Sequence, residues 1–74
     1  MRTLIDAAGQ HWDVAIGEES YGTLRLIFAE RMGGGLRSHE LALHSRLEAE
    51  QFLLGLTEES LRALLAGAVE WRPG

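Results

Sequence analysis

The chain has 74 residues, with seven basic side chains against eleven acidic ones and a formal charge of −4. That length holds one domain, residues 1–74, and not two. The negative balance argues against a nucleic-acid backbone as the main partner. The absence of cysteine and lysine removes disulfides, thiolate metal sites, Schiff-base chemistry and a phosphate-loop lysine.

In chain order, Thr3-Leu4-Ile5 is a short β-prone run and Ala8-Gly9 a turn. From His11 to Ile16 the chain alternates, with Trp12, Val14 and Ile16 on one side. Gly17-Glu18-Glu19-Ser20 reads as a polar loop. Leu24, Leu26 and Phe28 then alternate with Thr23, Arg25, Ile27 and Ala29, the clearest strand in the chain. Gly33-Gly34-Gly35 reads as a flexible hairpin loop, and Leu36 to His44 as a fourth strand with Leu41 and Leu43 on one side. Short connections favour an antiparallel meander.

At Ser45 the period changes. Ser45-Arg46-Leu47-Glu48 matches a capping box. Leu47, Gln51 and Leu54 follow at helical spacing, with Phe52 and Leu53 widening the apolar arc, and Gly55 fits a helix stop. Thr57 caps a second helix with Glu58 and Glu59 at its positive end and an apolar stripe of Leu61, Leu64, Leu65 and Ala68. Trp71 and Pro73 end the chain. The expected fold class is therefore α+β: a four-stranded antiparallel meander over about residues 2–44, then helices over about 46–54 and 58–70 packed on one sheet face.

Burying roughly 60% of the unfolded surface, somewhat over half of it apolar, at ~25 cal/mol per Å² of apolar area contributes on the order of 110 kcal/mol. Ordering the residues at ~1.5 kcal/mol each costs about the same. A balance near zero favours a domain that gains from self-association. The sheet face left open would carry His11, Asp13, Ala15, Thr23, Arg25, Ile27, Ala29, Ser38, Glu40 and Ala42. Its small or apolar members Ala15, Ile27, Ala29 and Ala42 suit an association surface, and Trp71, at the end of the chain, is a further contact candidate. Leu36 to His44 offers a strand edge as another route to a dimer.

Two stretches, Arg2 to Val14 and Tyr21-Gly22-Thr23-Leu24, together with the tail Leu56 to Arg62, resemble small bacterial proteins of unassigned function. The resemblance covers most of the chain and implies no activity, substrate or site residue.

Three functional expectations follow. The first is a small non-enzymatic, cytoplasmic interaction module that self-associates as a homodimer or binds another protein, with no cofactor. No apolar run approaches the ~18 to 20 residues of a membrane span, and the first residues lack a signal-peptide core. The second is a single-stranded nucleic-acid-binding sheet using Tyr21, Arg25 and Arg31. The third is a small enzyme or metal site using His11, His39 and Glu40, with Asp13 and His44 nearby in sequence. Trp12 shares its parity with Val14 and Ile16 and is expected in the core.

Overall fold

A computed structural model describes residues 1–72; Pro73 lies outside the described residues. The chain forms an antiparallel sheet of strands β1 (Arg2–Ile5), β2 (His11–Glu18), β3 (Leu24–Glu30), β4 (Leu36–Leu41) and β5 (Val69–Glu70), in that spatial order. Helices α1 (Arg46–Gly55) and α2 (Glu58–Gly67) connect β4 to β5. The meander is present, with five strands among the described residues rather than the four expected.

The first two hairpins turn in the same way. The Asp6 N–H donates to the Gln10 carbonyl and the Gly9 N–H to the Asp6 carbonyl; Glu19, Thr23 and Gly22 repeat this pattern. Gly9 and Gly22 have φ near +84° and +81°, the left-handed region that glycine enters without a Cβ penalty. The third hairpin is one residue longer and places Gly34 there.

Asp6 also ties its turn to the core. Its carboxylate accepts from the Ala8 and Gln10 N–H groups and from the Trp12 indole Nε1, each at 2.9 Å. The Trp12 indole does most to hold the Asp6 carboxyl below its ordinary value of 3.8, with the Gln10 N–H next. A depressed folded value means that this contribution to stability is present above pH 3.8 and is lost as pH falls through the lower folded value. Asp6→Asn is therefore expected to lower the melting temperature at neutral pH. The gap to wild type should close under acid conditions, and parallel melting curves from neutral to strongly acid pH would contradict this.

One sheet face is buried. Leu4, Trp12, Val14, Ile16, Leu24, Leu26, Phe28 and Leu41 join Ala49 and Leu53 of α1 and Leu61 and Leu65 of α2 in a single core, with Leu43, Leu56, Leu64 and Ala68 packed against it. The caps form at both helices. Ser45 Oγ accepts from the Glu48 N–H at 3.1 Å, and Thr57 Oγ1 from the Ser60 N–H at 3.1 Å. Glu48 accepts from the Ser45 hydroxyl at 3.1 Å instead of from the Ser45 N–H, so only the serine half of the expected capping box forms.

Arginine side chains fasten the helices to the sheet. Arg2 Nη1 donates to the Leu53 carbonyl at 2.8 Å and to the Leu56 carbonyl, at the end of a helix whose last turn has no basic residue of its own. Arg46 Nη2 reaches the Ile16 carbonyl at 3.3 Å, and Arg62 Nε the Ile5 carbonyl at 2.9 Å.

Three expectations need correction. The second helix stops at Gly67, not near residue 70. Ala68 is extended, and β-branched Val69 starts a strand that pairs with Ser38. The fourth strand ends at Leu41, because Leu43 turns in to pack on the core. Its edge is not free throughout: β5 covers Arg37 and Ser38, and the Trp71 N–H donates to the Leu36 carbonyl at 3.0 Å.

Candidate functional site: the open sheet face

The register fixes which side chains share the second face. Paired residues of neighbouring strands point the same way, so one row across the sheet reads Ala15, Ile27, Ser38 and Val69. The row beside it reads Thr3, Asp13, Ala29 and Leu36, and Trp71 lies next to Leu36 through its backbone hydrogen bond. Gly17, Arg25 and Glu40 make the row beyond Ala15. The buried apolar residues of both helices lie on the other side.

Ala15, Ile27, Ala29, Leu36 and Val69 therefore form an apolar band running from β2 to β5. Ala15, Ile27, Ala29 and Leu36 are half-buried within the chain itself, and Val69 is 62% exposed. Ile27 lies over Gly17, where an added Cβ would stand 2.9 Å from its Cγ1; glycine there lets the isoleucine lie flat. Ser38, the one buried polar residue among those described, sits in the band and accepts from Arg25 Nη1 at 3.2 Å.

Charge frames the band at both ends. At one end Arg31 holds Asp13 in a forked contact, with Nη2 at 2.9 Å and Nε at 3.1 Å from Oδ1. That contact raises the Arg31 guanidinium further above its ordinary value. At the other end Arg25 donates to Glu19, to Ser38 and, at 3.4 Å, to Glu40. An apolar centre with a polar, ion-paired border is the anatomy of a protein interface.

Of the expected contact residues, Ala15, Ile27 and Ala29 lie on this face. Trp71 is half-buried beside Leu36 at its border. Ala42 does not belong to it: β4 has ended one residue earlier, and Ala42 is exposed outside the sheet. The sequence missed Leu36 and Val69, although the parity of Leu36 with Ser38 and Glu40 was available.

The nucleic-acid residues do not come together. Tyr21 is 98% exposed in the β2–β3 turn, while Arg31 lies just past the far end of β3. Arg25 and Arg31 each already answer carboxylates. The acid–base residues are also apart. His11 pairs with Ile5 at one end of the face and Glu40 with Arg25 at the other, whereas His39 pairs with Leu26 on the helix side. His44 lies beyond β4. Among the described residues, no group of three His, Asp or Glu side chains is placed to hold a metal ion. No helix among them is long and apolar enough to cross a membrane.

A second surface departs from expectation. The arc of Leu47, Gln51 and Leu54 points outward, with Leu47 68% and Leu54 74% exposed. Of the expected arc Leu53 does reach the core, joined by Ala49.

Comparisons with protein-family models, with curated proteins and with solved structures find no match to this chain. The functional reading rests on the residues themselves.

Proposed function

We propose that this chain is a small non-enzymatic interaction module that self-associates through the open sheet face. The observation that carries the reading is the apolar band of Ala15, Ile27, Ala29, Leu36 and Val69, bordered at both ends by ion pairs and left uncovered by either helix.

Shape and area support a second copy as the occupant. The molecule measures 33 × 29 × 19 Å, the thickness of one sheet and one helix layer. Its accessible surface of 4952 Å² is about a tenth above the ~4,500 Å² usual for a chain of 8.2 kDa. Charge fits as well. Each end of the band holds both signs, so a two-fold related copy meets no block of like charge.

The test is Ile27→Arg. A guanidinium at the centre of the band leaves the core residues untouched and places an unpaired charge in the interface. The variant is expected to keep the wild-type circular dichroism spectrum and to be monomeric by light scattering at concentrations where the wild type is dimeric. A dimer unchanged by the substitution would reject this face.

A further inference from the structure

All seven basic side chains are arginines, and six of them donate hydrogen bonds within the protein: Arg2, Arg25, Arg31, Arg46, Arg62 and Arg72. Arg37 donates none among the described residues. Its guanidinium carbon stands 5.8 Å from the centre of the Trp12 ring. That cation–π contact leaves its N–H groups without an acceptor among the described residues.

Arg37 lines two adjoining clefts at the end of the sheet where β3 turns into β4. The first, of about 510 Å³, also takes in Gly35, Leu36, Trp71 and Glu30. The second, of about 330 Å³, lies towards Gln10 and Leu65. Both tryptophans of the chain line the first cleft. Its volume is within the range of small-molecule sites.

We infer that this cleft binds a small aromatic monocarboxylate, with Arg37 holding the carboxylate through its paired N–H groups and the ring lying against Trp71 and Leu36. The guanidinium fork matches a planar carboxylate in geometry, and its place over Trp12 preorients it. The surrounding charge selects a single negative charge over two. Glu70 is answered by Arg72, whereas Glu30 lines both clefts with no ion-pair partner among the described residues, so a dianion would meet repulsion there. Leu36 belongs to the apolar band and Trp71 borders it, so a bound ligand competes with a second copy there; repeating the titration below on Ile27→Arg separates the two.

The experiment is a titration of the ¹⁵N-labelled chain with phenylacetate, read on its two indole N–H signals. The expected result is a saturable shift of both signals with half-saturation on the order of 1 mM. Arg37→Gln is expected to weaken binding at least tenfold while leaving the rest of the spectrum in place. Arg37→Lys, which keeps the charge and loses the fork, is expected to fall between the two and decides the matter if the glutamine variant does not fold. Phenyl phosphate should bind more weakly than phenylacetate, and phenethylamine should give no saturable shift. Absence of a saturable shift with phenylacetate, equal binding by the arginine variants, or tighter binding of either comparison compound would overturn the assignment.

Discussion

Phe28→Ala is expected to unfold this domain or bring it close to unfolding at room temperature. Phe28 is the largest side chain that the fold buries completely, and it stands in the central strand between Val14 and Arg37. Removing a buried phenylalanine ring costs about 3–5 kcal/mol, part of it lost transfer energy and part the cavity left behind. Small domains hold only ~0.05–0.15 kcal/mol of stability per residue, so a loss of this size is comparable to the whole. If a folded population remains, its melting temperature should fall by roughly 20 °C. Near-ultraviolet circular dichroism would show this through the buried Trp12 indole. A variant melting within a few degrees of wild type would mean that the core is not organised around β3.

Arg2→Met is expected to show the second largest effect, in a place where a surface arginine would normally matter little. Methionine keeps the apolar stem and removes the guanidinium that serves the Leu53 and Leu56 carbonyls. Those carbonyls end α1; the Leu53 carbonyl keeps the Leu56 N–H, so the loss combines an unmet Leu56 carbonyl with a lost favourable charge at the negative end of the helix. The expected cost is about 2 kcal/mol, or roughly 10 °C in melting temperature. Hydrogen exchange locates the damage. Protection should fall first in the last turn of α1 and at its contact with β1. A uniform loss, or none, would contradict the capping role.

The sequence disclosed the strands well where their faces differ in polarity. Trp12, Val14 and Ile16 against Asp13 and Ala15, and Leu24, Leu26 and Phe28 against Arg25 and Ile27, leave one choice of inner face, and the pairing register agrees with it. The two helix starts were legible because Ser45 and Thr57 satisfy specific N–H groups. The orientation of α1 was not. Leu47, Phe52, Leu53 and Leu54 place apolar side chains around most of the helix, so periodicity does not choose a face. Packing selected small Ala49 together with Leu53 and left two leucines outside.

The fifth strand was hidden for a different reason. Two residues carry no alternation, and Val69 pairs only because the two helices return the chain to the edge of β4. That return also determines the candidate face, since it adds Val69 and Trp71 to Ile27 and Leu36. Ala15, Ile27 and Ala29 were readable from parity alone, and Ala42 failed because the strand stops one residue short of it. The separation of His11 from Glu40 follows from pairing across β2, β3 and β4, whereas Tyr21 and Arg31 stand apart because they flank opposite ends of β3, a strand already readable in the sequence.

The central claim is that the open face holds a second copy of this chain. Static light scattering of the wild-type protein from micromolar to millimolar concentration tests it most directly. A closed two-fold dimer requires a mass that rises from 8.2 kDa to twice that value and then levels. A mass that stays at 8.2 kDa throughout, or one that climbs past the dimer without a plateau, would contradict it.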